Sequence, residues 1–338
     1  MRAAVYKGNQ KLVVEEVPTP APGPGQIVVK VSYCAICGTD VHAFLYDVAP
    51  AGTVMGHEYS GTIDRVGSGV TNWKVGDRVV GGGGTAPPGS ESAMRTDPRF
   101  NYRTMGFAGG RLRAYAEYVL MEEWEPIALP DGVSDEAAAL CEPCAVTVHA
   151  VRLSHMKLGD SVAVLGAGPI GLFCLQVAKA AGASAVFVSE PVAARAEAAR
   201  RLGADAVVDP TVDGALEEIV ALSGGTGPDV VFECAAAKGT LDDAFNLVRR
   251  HGEVVLIALA WEPTSVLPVD WAAREVKFRA SFGTAPEDWR IALDLIQSGK
   301  VQMAPMLSEA GFIPLDGIQE AFEALVKPSN QVQMVVRP

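Results

Sequence analysis

The 338-residue sequence predicts an α/β protein in which a doubly wound parallel-sheet unit is set between two mixed, β-rich segments. Three observations predict it. From Ser161 onward, uninterrupted apolar runs alternate with helical stretches, as in a parallel sheet covered on both faces. A glycine turn joins the first of those runs to the first helical stretch. Before about residue 145 the chain instead carries short β-branched segments bounded by Gly, Pro or Asn.

In the first segment, Gln26 to Tyr33, Gly61 to Val66 and Asp77 to Val80 read as strands, and the Pro/Gly-rich stretch Pro18 to Gly25 as a rigid connection. The central unit opens with a strand Ser161 to Leu165 and a helix Ile170 to Ala181 that ends at Gly182. Next come a strand Ala185 to Ser189, an Ala/Arg-rich helix to Leu202, a strand Ala206 to Val208 and a helix around Ala215 to Leu222. A strand Asp229 to Cys234, a helix near Leu241 to Arg250 and a strand Glu253 to Leu259 follow. After Ser281 the pattern is mixed: helices around Ala285 to Ser298 and Leu315 to Val326, then a strand Gln331 to Val336. A doubly wound unit between mixed segments implies that the two ends fold together. The expected division is 1–146 with 282–338, and 147–281.

Apolar residues at 49% and charged residues at 20% fit a globular chain rather than a disordered one. A net charge of −12 argues against a nucleic-acid partner and against adhesion to anionic membranes. The start, MRAAVYKGNQKLVVEE, has no apolar core suited to a signal peptide. No stretch reaches the roughly 18 charge-free apolar residues of a spanning helix. A cytoplasmic location is therefore expected, with the six cysteines serving as ligands or core residues rather than disulfides.

Gly166-Ala167-Gly168-Pro169-Ile170-Gly171 is a G-x-G-x-x-G between an apolar strand and a helix, the context that dinucleotide binding requires. Gly166 permits the turn, Gly168 admits a pyrophosphate to the backbone, and Gly171 brings helix and strand close. Pro169 and Ile170 open the helix whose free N–H groups would face the phosphates. Glu190, at the end of the next strand, is placed to accept from the ribose hydroxyls. Its charge would repel a 2′-phosphate, so NAD(H) is expected over NADP. Arg195 flanks the ribose or is a solvated helix charge.

The other dense segments are Cys37-Gly38-Thr39-Asp40-Val41-His42 and Gly56-His57-Glu58-Tyr59. Thiolate, imidazole and carboxylate together suit a zinc site with one open position. Each residue also has a structural alternative as core, satisfied polar or surface group. Cys34-x-x-Cys37 and Cys141-x-x-Cys144 would make a four-sulfur site, but about one hundred residues separate them, against the usual 15–20.

Pro22-Gly23-Pro24-Gly25, the Cys37 to His42 segment, Gly56-His57-Glu58, Val75-Gly76-Asp77-Arg78-Val79, Glu142-Pro143 and the glycine turn follow one order along nearly the whole chain. In this the sequence resembles the zinc-containing medium-chain dehydrogenase/reductase superfamily, in its branch of polyol, butanediol and threonine dehydrogenases. The resemblance implies a GroES-like β-rich catalytic domain joined to a Rossmann domain. It implies that Cys37 and His57 bind catalytic zinc, that Glu142 replaces a second cysteine, and that Glu58 reaches the metal or stands behind it. Cys141 and Cys144 are then neighbours of a ligand. Thr39 becomes a hydroxyl relay with His42 outside it, and Asp40 is either the carboxylate that orients His57 or a turn residue. The zinc would acidify a secondary alcohol (a polyol, cyclitol, vicinal diol or hydroxy amino acid) for hydride transfer to NAD, or act on the matching ketone in reverse. A homo-oligomer is expected, a tetramer or alternatively a dimer.

The sequence departs from the family at two places. Gly81 to Gly110, where many members carry a structural zinc on four cysteines, has no cysteine, so one catalytic zinc per subunit and no structural zinc is expected. That region and its flank hold Arg95, Arg99, Arg103, Arg111 and Arg113, which read as a solvated lobe or as an attractor of anionic substrate. Gln333 stands where relatives often have a basic residue. Phe44, Tyr46, Trp271 and Phe282 are guesses for the substrate pocket. Two other functions compete: a metal-free quinone or enoyl reductase, which needs none of Cys37, His57 and Glu58, and a non-catalytic dinucleotide-binding protein.

Overall fold

A two-stranded sheet and two larger ones, one antiparallel in the main and one parallel, organise the computed structural model, whose described residues are 1–81, 113–326 and 330–338. The first part contains β1 (Arg2–Tyr6), β2 (Leu12–Glu16), β3 (Gln26–Ala35), α1 (Gly38–Leu45), β4 (Glu58–Val66), β5 (Arg78–Val80), β6 (Tyr118–Glu122) and β7 (Ile127–Ala128). Two helices, α2 (Asp135–Ala138) and α3 (Cys141–Leu153), lead out of it. α3 runs unbroken through position 146, so the two parts of the molecule share a helix.

The central part alternates strictly: β8 (Ser161–Leu165), α4 (Pro169–Ala180), β9 (Ala185–Ser189), α5 (Ala193–Arg201), β10 (Ala206–Val208), α6 (Ala215–Leu222), β11 (Val230–Glu233), α7 (Thr240–Leu247), β12 (Glu253–Leu256), α8 (Pro268–Ala273) and β13 (Lys277–Ala280). The chain ends with α9 (Pro286–Gln297), β14 (Phe312–Pro314), α10 (Ile318–Leu325) and β15 (Val335–Arg337).

The parallel sheet has the order β10-β9-β8-β11-β12-β13. Strand order reverses between β8 and β11, which opens a crevice at their carboxyl ends. Along β8, Val162 and Val164 join one buried cluster with Leu172, Phe173 and Trp289, while Ala163 and Leu165 join another with Phe187 and Phe245. Alternate residues thus bury to opposite faces, which is why these strands read as continuous apolar runs. The mixed sheet runs β14-β15-β3-β4-β5-β7, with β6 also paired to β3. The last strand therefore returns to the first part, where it pairs with β3. A third core lies under this sheet, where Tyr6, Ile27, Phe44 and Tyr115 pack with Phe322 of α10.

Several boundaries differ from expectation. α1 and α3 are helices inside a segment that reads as strand-rich, because α1 has only eight residues and Pro143 in the first turn of α3 resembles a turn signal. β4 starts at Glu58 rather than Gly61, β5 at Arg78 rather than Asp77, and the final strand covers Val335–Arg337 instead of Gln331 to Val336. β12 stops at Leu256, and 257–259 leave the sheet to line a cavity.

Candidate active site

The register of one strand pair assembles the site. Ala35 on β3 pairs with Glu58 on β4, and Cys34 with Tyr59. Cys37, two residues past Ala35, and His57, one before Glu58, therefore meet at one end of the sheet. The Cys37 sulfur, a His57 ring nitrogen and a Glu58 carboxylate oxygen lie within 4.8 Å of one another. Sulfur, nitrogen and oxygen donors together suit zinc. Oε2 of Glu58 is buried without a hydrogen-bond partner among the described residues. Such an oxygen is costly unless a cation or donor satisfies it, so these residues fit the metal that the resemblance implies. Glu142, in the first turn of α3, lines the same cavity but lies outside that group of three. Cys141 and Cys144 are fully buried core residues, and the Cys141 sulfur faces the Trp289 carbonyl at 4.0 Å.

Cys37 is the N-cap of α1, its sulfur accepting from the Thr39 N–H at 3.4 Å. Without metal, burial pushes its thiol up to about 12, and the Glu58 charge adds to that. Burial also pushes Glu58 up to about 8, helped by the charge of Glu142, whose own carboxyl is raised by burial. Burial would lower His57, but Asp40 and Cys37 outweigh it and hold the imidazole well above its ordinary value. Asp40 is buried as well, yet His57 and Tyr115 keep its carboxyl below the ordinary value. Asp40 Oδ1 lies 3.5 Å from Nδ1 of His57, which leaves Nε2 for the metal group.

A cavity of about 420 Å³ opens above these donors at the crevice of the parallel sheet. Its wall includes Thr39 and His42, three residues apart on one face of α1. The His42 ring packs near Trp261 and Tyr46, at 5.5 and 6.1 Å between centroids, and burial lowers its pKa. It is therefore a neutral imidazole at neutral pH, able to accept a proton. Of the aromatic guesses, Phe282 lines the cavity. Phe44 is instead buried in the core beside Phe322, and Trp271 stacks on Phe245. Tyr46 stacks on Trp261 with planes 7° apart and is not part of the wall.

Gly168, Pro169 and Ile170 line the same cavity. Gly166 turns with a φ of +93°. A Cβ on Gly168 would meet nothing within 4 Å, whereas one on Gly171 would fall 1.8 Å from the Gly166 carbonyl oxygen. The first glycine thus leaves open space, and the second is needed for contact. Gly168 is the N-cap of α4 with no side chain on the free N–H groups, a ready site for phosphate. Glu190 is buried, its oxygens accepting from the N–H groups of Ala167 and Val192, each at 2.7 Å. Arg195 stands on α5, its Nε buried without a partner among the described residues. Neither Glu190 nor Arg195 touches the cavity wall.

The wall also contains Arg113 and Gln333, which the sequence singled out without placing them there, and Cys234 and Ser281, which it did not single out. Cys234 and Ser281 follow β11 and β13 directly, and the rule that ligands bind at carboxyl ends of parallel strands could have found them. Gln333 is buried, its Nε2 donating to the Ile36 carbonyl at 3.1 Å, so it braces the chain before Cys37. Arg95, Arg99, Arg103 and Arg111 lie outside the described residues.

Comparison with known proteins agrees with this geometry. Residues 23–131 match the alcohol dehydrogenase GroES-like domain and residues 169–298 the zinc-binding dehydrogenase family. The chain is 35% identical to (R,R)-butanediol dehydrogenase of Bacillus subtilis (strain 168) over 355 aligned positions, covering all of both chains. It is 34% identical to sorbitol dehydrogenase of Homo sapiens, covering 97% of this chain and 95% of that one. A crystal structure of 2R,3R-butanediol dehydrogenase from Bacillus subtilis superposes with a TM-score of 0.88 at 34% identity, covering 100% of this chain and 99% of that chain. The donors at the end of β3 and β4, the glycine turn lining the same cavity and these matches lead to one conclusion: the chain belongs to the zinc-binding alcohol dehydrogenases of the medium-chain dehydrogenase/reductase superfamily.

Proposed function

We propose that this protein oxidises a secondary alcohol of the vicinal-diol, polyol or cyclitol type with NAD, or reduces the matching ketone with NADH, using one zinc per subunit. The observation that carries this is that the grouped donors Cys37, His57 and Glu58 line the same cavity as Gly168–Ile170 of the glycine turn. A metal-free reductase would have no use for that donor group. The butanediol and sorbitol relatives support the substrate class.

Cys37 and His57 would hold the metal, with Glu142 or Glu58 as the acidic ligand. Bound zinc supplies Lewis acidity that makes an alcohol hydroxyl easier to deprotonate. Thr39 would take that proton and pass it to His42, whose neutral ring faces the cavity. Asp40 would keep His57 in the orientation and tautomer that ligation needs. The glycine turn would seat the pyrophosphate, and Glu190 would accept from the ribose while repelling a 2′-phosphate. Residues 1–146 with 282–338 would form the catalytic domain and 147–281 the dinucleotide domain, in a homo-oligomer.

The test is a screen of diols, polyols and cyclitols with NAD and with NADP, read as reduced-nicotinamide absorbance, alongside metal analysis. Zinc near one per subunit and activity lost in Cys37→Ser but kept in Cys144→Ser are expected. Full activity in protein free of metal would end this account.

A further inference from the structure

Arg113 brings a permanent positive charge into the wall of the catalytic cavity. Its position is set by the backbone: its N–H donates to the Val54 carbonyl at 3.2 Å, and the N–H of Ala114 donates to Gly56 at 3.1 Å. Residue 113 is thereby tied to the stretch immediately before His57 and Glu58. Two residues on, Tyr115 reaches the carboxylate that faces His57.

Among the described residues, Arg113 is the one Lys or Arg in that wall, and no described carboxylate forms an ion pair with its guanidinium. Its charge helps His57 and Tyr115 to hold the buried Asp40 carboxyl below its ordinary value, yet no described carboxylate takes up its donors in an ion pair. A half-buried guanidinium instead presents a fork of donors that matches a carboxylate or phosphate, which a hydroxyl cannot match. The chain carries a net charge of −12, so an anionic substrate needs a local cation to approach.

We propose that Arg113 is a specificity residue that anchors a carboxylate or phosphate group on the secondary-alcohol substrate. This rests on the dehydrogenase function proposed above and narrows its substrate class.

The experiment compares matched neutral and anionic alcohols: 2,3-butanediol with 2,3-dihydroxybutanoate, and sorbitol with sorbitol 6-phosphate. The readout is kcat/KM with NAD for the zinc-loaded wild type, Arg113→Gln and Arg113→Lys. The wild type should prefer the anionic member of at least one pair, and the pair that shows it tells carboxylate from phosphate. Arg113→Gln should cut that preference about 10- to 100-fold, while Arg113→Lys retains much of it. A wild type with no preference in either pair overturns the inference, as does equal loss on both members of a pair in Arg113→Gln. Turnover of the neutral members would then leave the dehydrogenase function standing. No turnover of any of the four compounds by wild type would sink both.

Discussion

The Tyr115 hydroxyl donates to Oδ2 of Asp40 at 2.7 Å, and Oδ1 of the same carboxylate faces His57 Nδ1. A phenol from the segment before β6 thus holds the carboxylate that faces His57. Tyr115→Phe removes a donor from a buried carboxylate and should lower stability by about 1–3 kcal/mol in chemical denaturation. Asp40→Asn should weaken zinc binding about 10- to 100-fold in competition with a chelator. Unchanged zinc affinity in Asp40→Asn would separate Asp40 from the metal site.

Gly168 and Gly171 of the glycine turn should respond in opposite ways. Gly168→Ala meets no neighbour in the free protein, so its Tm should stay near that of the wild type while the KM for NAD rises several-fold. Gly171→Ala forces a methyl group against the Gly166 carbonyl and should cost about 1–3 kcal/mol of stability or more. Thermal melts and cofactor titrations of the pair separate the two effects.

Metal removal should expose the proton competition at the donors. The thiol of Cys37 is protonated in metal-free protein, its pKa pushed up to about 12 chiefly by burial. Zinc added at pH 7 should therefore release on the order of one proton per site, or more. Calorimetry in buffers of different ionisation enthalpy counts them, and a count of zero would contradict ligation by Cys37. Glu58 supplies a second signature. Folded metal-free protein keeps its proton up to about 8, whereas the unfolded chain sheds it near 4.5. The stability contributed by protonated Glu58 is thus complete below 4.5 and is lost as pH rises towards about 8. Chelated protein should melt lower across that window, and zinc should reverse the trend.

Asp288 clamps α9 to α3, the helix that carries Glu142. Its fully buried carboxylate faces His149 Nδ1 at 2.7 Å, pairs with Arg152 and accepts from the Ala285 N–H at 2.6 Å. Burial would raise its pKa, but His149 and the N–H of Ala285 reverse this and bring it below the ordinary value of 3.8. Its contribution is therefore present above that value and lost as pH falls through the lower, folded pKa. Asp288→Asn should cost about 1.5–3 kcal/mol at pH 7, discounted for the partly exposed Arg152, and the loss should shrink in acid. A Tm equal to that of the wild type at pH 7 would show that the clamp carries no load.

How much of this was legible beforehand follows from the range of each interaction. The doubly wound unit could be read because both faces of β8 to β12 are covered, and local apolar runs record that directly. The glycine turn could be read because turn, phosphate approach and helix contact are each demanded of a backbone position within six residues. Cys37, His57, Glu58 and Glu142 could be named from motifs, yet no local pattern states that three of them meet. That was decided by the pairing of Ala35 with Glu58 across β3 and β4. The Tyr115 hydroxyl on Asp40 and the entry of Arg113 into the cavity wall were likewise settled only in three dimensions. Each depends on residues tens of positions apart, where a side chain's partner is chosen by packing and hydrogen bonding rather than by its neighbours along the chain.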